Sequence, residues 1–254
     1  MSYASMPSFR VNTLRSGRVS VFVLLGLVLL LASACNPVYS PPMRTTHYGA
    51  PGHVTPGQGR IGVAATSVGS FGPSFDWPLS ENWLIEASGD LRFDYDGDWM
   101  MGALGARHTF RDLFGVDATR VNGLHVDVAF GVGVGVGGAS GNEAWEGEDG
   151  SSSYGFVSDG KTNLERTALG GYAEVGLGYR MSDLFSPFVR SRFQVSTAEG
   201  LPVTLFTSAL AGIDFTFGPV ALYLAGGFAG YENEVDGNWG FMADAGLSLR
   251  FSAH

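Results

Sequence analysis

The sequence predicts an all-β fold, a closed antiparallel up-and-down transmembrane β-barrel. Three observations carry that expectation. Apolar and polar residues alternate with period two along a series of segments, as they do on strands with one oily and one polar face. The polar face holds charges in mid-strand. The connections between segments sort into a set of mostly short turns at one end and longer loops at the other. The 38 glycines in 254 residues lack the strict period of collagen and instead alternate with Val, Ala, Leu and aromatics, which is a strand pattern with side chains missing from one face.

The barrel is preceded by a segment with a different logic. Arg10, Arg15 and Arg18 form a positive flank, Val21 to Leu31 is almost wholly apolar, and Ala32-Ser33-Ala34 offers small residues for cleavage, so 1–34 is expected to be a signal peptide. Cys35 is the only cysteine, which excludes an intrachain disulfide and a cysteine metal cluster. Its position after Leu31-Ala32-Ser33-Ala34 resembles the lipobox of bacterial lipoproteins, and this resemblance implies lipid attachment at Cys35. Ordinary cleavage near Ala34, leaving a thiol, is the other outcome. Residues 35–58 carry Pro37, Pro41, Pro42, Pro51 and Pro56. Prolines at that density spoil helix and central strand alike, so the segment is expected to be an extended periplasmic tether that could dock in the barrel mouth.

Residues 59–254 fit one domain. Three of the 15 basic residues lie in the signal and all 24 acidic residues lie beyond it, giving the mature chain a formal charge of −12. Nucleic acid is not an expected partner, because its binders present a basic patch.

The strands follow in order. Ile61 to Val68 and Phe71 to Pro78 are strand-like but irregular. In Trp83 to Phe93 the odd positions are Trp, Ile, Ala, Gly, Leu and Phe, opposed by Glu86, Ser88, Asp90 and Arg92. Trp99 to Phe110 is less regular, and Arg107 and His108 fall on opposite faces. Leu124 to Gly137 sets Leu124, Val126, Val128, Phe130, Val132, Val134 and Val136 against His125, Asp127, Ala129 and a row of glycines. Leu169 to Tyr179 opposes Tyr172 and Glu174, with Arg180 continuing that face. Val189, Ser191, Phe193 and Val195 oppose Arg190, Arg192 and Gln194. Leu205 to Phe217 opposes Ser208, Asp214 and Thr216, interrupted by Phe206 and Leu210. Val220 to Tyr231 is again less regular. Trp239 to Phe251 is the cleanest stripe, facing Met242, Asp244, Ser248 and Arg250. These make ten strands, or eight if the hairpin from Arg60 to Leu79 is an accessory or plug.

A spanning sheet must close on itself, because hydrocarbon offers its backbone no partners. Its outer face is then oily and its inner face polar. The expected inner network is Glu86, Asp90, Arg92, Asp127, Glu174, Arg180, Arg190, Arg192, Asp214, Asp244 and Arg250, paired because lone buried charges are costly. On a soluble sheet the same alternation would be a solvated face. Aromatics near strand ends, among them Trp77, Trp83, Trp99, Phe110, Phe215, Tyr231, Trp239 and Phe251, fit interfacial girdles.

The chain from about 59 to 251 resembles small bacterial outer-membrane β-barrel proteins of the OmpA-like transmembrane-domain kind. The last strand, Trp239 to Phe251, looks like the aromatic-closed signature that such proteins present to the barrel-assembly machinery. Ser74-Phe75-Asp76-Trp77-Pro78-Leu79-Ser80-Glu81-Asn82-Trp83 is similar to their strand, tight turn and strand joints. The resemblance implies the outer membrane, its lipid and lipopolysaccharide as surroundings, and no particular activity.

Chemistry is sparse. No serine elbow, zinc helix motif, phosphate-cradling glycine loop or EF-hand occurs. Neither a cofactor nor a metal is expected, and neither is an enzyme. His125 and Asp127 share a face and are read as structural pairing. The loop 138–163 holds Glu143, Trp145, Glu146, Glu148, Asp149 and Tyr154 and is the expected surface for an extracellular ligand. The leading expectation is therefore a structural or surface-interaction barrel with a polar, mostly closed lumen. The alternatives are a narrow pore for small polar solutes or ions and a soluble lipocalin-like ligand-binding lipoprotein.

Overall fold

The computed structural model describes residues 43–49, 57–94, 97–111, 122–140, 163–198, 203–233 and 237–252. The signal peptide and Cys35 fall outside them. Ten strands form: β1 (Gln58–Thr66), β2 (Ser70–Pro78), β3 (Trp83–Asp94), β4 (Gly97–Phe110), β5 (Gly123–Ser140), β6 (Asn163–Arg180), β7 (Phe185–Ala198), β8 (Thr204–Phe217), β9 (Val220–Glu232) and β10 (Gly237–Ser252). Each pairs antiparallel with its neighbours in sequence, and β1 pairs with β10 from Gln58↔Ser252 to Thr66↔Asp244, which closes the barrel. The eight-strand alternative is thereby excluded. The hairpin from Arg60 to Leu79 is wall, since β1 is zipped to both β10 and β2.

The reason lies in side-chain phase. In β1, Ile61 and Val63 are more than half exposed while Arg60, Gly62 and Ala64 turn inward. In β2, Phe71, Phe75 and Trp77 point out, and Ser70, Ser74 and Asp76 point in. A register slip of one residue would invert both faces. The β2–β3 ladder pairs Phe71 with Leu91 and resumes at Ser74 with Ser88, passing over Gly72 and Pro73. Pro73 has no N–H to give. A Cβ on Gly72 would collide with the Gly89 carbonyl, so the two backbones approach there as only glycine permits.

The barrel has two distinguishable ends. Gln58, Ser252 and the connections 79–82, 111–122, 181–184 and 218–219 lie at one, called here the turn end. The connections 67–69, 95–96, 141–162, 199–203 and 233–236 lie at the other, the loop end. The length contrast is less even than expected. The 111–122 connection is long and sits among the turns, whereas 67–69 and 95–96 are short.

Every strand sends apolar side chains outward. Val132 and Phe228 are each 67% exposed, and Leu104, Val189, Trp239 and Leu249 are all about half exposed or more. Outer aromatics cluster near the turn end, with Phe75, Trp77 and Phe251 packed together and Trp83, His108 and Phe110 in a second group. Two residues assigned to the girdles do not belong to them. Trp99 and Tyr231 are buried in the lumen, where Trp99 packs with Met43 and Met101 and Tyr231 joins a cluster around Tyr48. Their strands point them inward, in phase with Arg107 and Ala229 respectively.

Candidate functional site

The interior is the site, and it is built from successive strands by the two-residue spacing of one face. Strand β3 supplies Glu86 and Asp90, β4 Arg107, β5 His125 and Asp127, β6 Tyr172 and Glu174, and β7 Arg190, Arg192 and Gln194. Glu174 and Arg192 stand directly opposite in the β6–β7 register, and Gly176 faces Arg190.

Of these, Glu86, Arg107, Asp127, Glu174, Arg190 and Arg192 form one ion network. Arg107 donates to Glu86, Asp127 and Glu174 with all three of its guanidinium nitrogens. Arg190 donates to Glu174 and, at 3.2 Å, to Asp127. Arg192 Nε donates to Glu174 Oε2 at 2.6 Å. Every member is almost fully removed from solvent. Such burial costs each ion several kcal/mol, roughly, and is sustained only when partners and hydrogen bonds surround it. Here each carboxylate meets at least two guanidinium groups.

Residues 43–49 run through this lumen as a strap. The tether expected over 35–58 is, at these seven positions, an interior element. Arg44 Nη1 donates to Glu86 at 2.9 Å and to the Tyr172 hydroxyl at 3.1 Å. The strap backbone is held by side chains of the wall. Gln194 accepts from Arg44 N at 2.8 Å and donates to Arg44 O at 2.6 Å. Arg192 donates to the carbonyls of Arg44 and Thr46 at 2.9 Å and of His47 at 3.3 Å. Asp90 accepts from Thr45 N at 2.8 Å and from the Thr46 hydroxyl. Asp244 accepts from Tyr48 N at 2.8 Å and from the Tyr223 hydroxyl at 2.6 Å. A peptide without sheet partners thus finds donors and acceptors inside the barrel.

The glycines on the inner face of β5 are spaces for particular neighbours. A Cβ on Gly131 would lie 2.5 Å from a Tyr172 ring carbon, and one on Gly133 would lie 3.0 Å from Met43 Cβ and Sδ. Gly135 makes room for Met101 and Gly137 for Trp99. The face that reads as empty in sequence is covered by rings and thioethers from elsewhere.

The predicted residues are distributed as follows. Glu86, Asp127, Glu174, Arg190 and Arg192 meet in the central network, and Asp90 and Asp244 bind the strap. Arg92 and Asp214 are buried in the wall. Arg180 instead pairs with Asp183 in the turn at 3.1 Å, and Arg250 donates to Thr216 Oγ1 at 3.0 Å, so both lie toward the turn end. His125 sits 3.8 Å from Asp127. Among the described residues no group of three or more His, Cys, Asp or Glu could hold a metal. Cys35 and the loop residues Glu143, Trp145, Glu146, Glu148, Asp149 and Tyr154 lie outside the described residues.

Sequence reasoning missed Arg44, Arg107 and the Arg60–Asp76 pair, which closes at 2.6 Å near the turn end. Arg107 was recoverable, because outward Leu104 and Phe110 fix the phase of β4. Arg44 was not. No alternation in 36–59 marks it as interior.

Fold and interior together define a class: a closed, ten-stranded up-and-down barrel, oily outside and charged inside, filled by a segment of its own chain. No family model matches the chain, and no curated protein matches it. Among solved structures it is similar to the N-terminal β-barrel domain of Pseudomonas aeruginosa OprF, at 13% identity over 76% of this chain and 96% of that one, with a TM-score of 0.36. The outer membrane protease OmpT from Escherichia coli matches at 12% identity over 78% and 94%, with a TM-score of 0.36. The β domain of the Bordetella autotransporter BrkA matches at 13% over 77% and 98%, with a TM-score of 0.32.

Proposed function

We propose that this protein is an integral outer-membrane barrel of structural or surface-interaction type, with its lumen closed by its own N-terminal strap. The single observation that supports this reading is the reversal of ordinary burial. Large apolar side chains on all ten strands point outward, while nine of the eleven predicted network charges are buried inside. Soluble proteins do not expose contiguous apolar belts of this kind. A bilayer supplies the missing apolar surroundings, and a closed sheet presents no free strand edge to it.

The ion network across β3 to β7 disfavours the soluble lipocalin-like alternative, in which a ligand cavity would be mostly apolar. The strap disfavours the narrow pore, since Arg44, Arg192, Tyr48 and Leu210 together occupy the cross-section with at most 1% exposure. The proposal assigns no reaction to the network, whose carboxylates are already engaged by guanidinium groups. With the chain ends of the barrel in the periplasm, the connection 141–162 faces outward, and its acidic residues Glu143, Glu146, Glu148 and Asp149 with Trp145 and Tyr154 offer the contact surface.

Fractionation of Cys35→Ser tests the membrane reading independently of any lipid. Retention in the outer membrane after stringent washing, with heat-modifiable migration, is expected. Release as a soluble monomer would overturn the proposal. Closure is tested in planar bilayers, where the expected result is an absence of discrete conductance at high protein density. Binding of a surface ligand, if it runs through 141–162, is lost when that connection is deleted.

A further inference from the structure

The strap has a direction. Its first described residue, Met43, clusters with Trp99, Met101, Ala168 and Ala198. Ala198 is the last residue of β7, and Trp99 is near the start of β4, both at the loop end. Its other extremity is near the opposite end. His47 and Gly49 share a cavity with Arg60, Tyr223 and Ser248, which lie close to the turn-end termini of β1, β9 and β10. The chain therefore descends from the loop end toward the turn end, where Gln58 opens the first strand. Five wall side chains, Gln194, Arg192, Asp90, Asp244 and Tyr223, hold its backbone in that course.

We propose that the chain threads its own barrel, so that the residues before Met43 leave through the loop end and the mature N-terminus, with Cys35, lies on the outer face of the membrane. This rests on the outer-membrane reading given above. Distance supports it. The roughly eight residues between Cys35 and Met43 reach about 28 Å when fully extended. Met43 touches Gly133, and from there to the turn end β5 runs back to Gly123, about 26 Å along the axis for a tilted strand. A return to the periplasm would need nearly the whole reach of the segment, through a lumen that the strap and the ion network already fill. The loop end is close by. Pro41 and Pro42 immediately precede Met43, and consecutive prolines favour an extended course over a reversal. A lipid on Cys35 would then enter the outer leaflet, anchoring the protein from the side opposite its barrel termini.

The test uses the full chain in intact cells and a membrane-impermeant maleimide. Val38→Cys is expected to label on intact cells, above the level of the wild-type chain, to the same extent as after permeabilisation. Ser252→Cys, at the end of β10, is expected to label only after the outer membrane is opened. If Val38→Cys stays in the washed outer membrane but labels only after permeabilisation, the threading is wrong while the membrane reading stands. If both variants label in the soluble fraction, both readings fall. Should Val38→Cys not assemble, Asn36→Cys replaces it with the same outcomes. Wild-type labelling on intact cells would place a free Cys35 thiol on the outer face and also support the threading.

Discussion

The two halves of the lumen solve the same packing problem with opposite chemistry. From β3 to β7 the inner wall is ionic, with Glu86, Arg107, Asp127, Glu174, Arg190 and Arg192 joined in one network. From β8 round to β1 it is mainly apolar and hydroxylic, with Phe206, Leu210, Tyr223, Tyr231 and Met242 packed together, along with Phe188 of β7. The strap lies between them and matches each. Arg44 enters the ionic half, and Tyr48 enters the apolar half, where its hydroxyl meets Ser208. The Arg192 guanidinium, 3.9 Å from the Tyr48 ring centroid, joins the halves as a cation–π contact. An inner face can thus be closed either by compensated charge or by ordinary packing. The two should fail differently when a partner is removed.

The ionic half should suffer most. Glu174→Ala removes the carboxylate shared by Arg107, Arg190 and Arg192, leaving buried cations under-compensated, and is expected to destabilise by about 3–5 kcal/mol, read as a lowered urea midpoint in lipid bilayers. Leu210→Ala makes a cavity in the apolar half and is expected to cost about 2–4 kcal/mol by the same measurement. If it costs more than Glu174→Ala, the ionic half is not the more fragile one. Gly178→Ala drives a methyl into the His125 ring and is expected to cost about 1–3 kcal/mol, with much of the loss recovered in the double variant Gly178→Ala/His125→Ala. Additivity of the two losses would show that the ring is not what the glycine accommodates. Smallest is Tyr48→Phe, which removes the hydroxyl bond to Ser208 and should cost about 0.5–1.5 kcal/mol. Its effect should appear as earlier loss of heat-modifiable migration, with the ring contact to Arg192 intact.

The wall was legible to different degrees. Strands β3, β5, β6, β7 and β10 follow from strict alternation, because a bilayer-facing position and a lumen-facing position impose opposite demands on neighbouring residues. Strands β1 and β2 were harder to assign. Arg60 to Leu79 reads as a hairpin that could stand apart, and only the pairing of Gln58–Thr66 with β10 makes it structural. The glycines of β5 showed which face was small and left open whether rings would fill it. Tyr172 and Met43 come from residues distant in sequence, so no local pattern could assign them. Trp99 and Tyr231 were misplaced because aromatics near strand ends suit an interface and a lumen equally, and only the phase of their strands separates the two.

The sequence by itself determined most of the strands and their two faces, because period-two patterning is a local property of each segment. Tertiary structure alone decided what fills the barrel. The strap carries no periodicity that marks it as interior, and Arg44, Thr45 and Tyr48 acquire their partners only when Glu86 and Asp90 of β3, Gln194 of β7 and Asp244 of β10 converge from three separate strands. The physical reason is the range of the interactions. Membrane and lumen act on every residue of a strand separately, whereas compensating a buried charge or an extended backbone needs groups brought together only when the barrel closes.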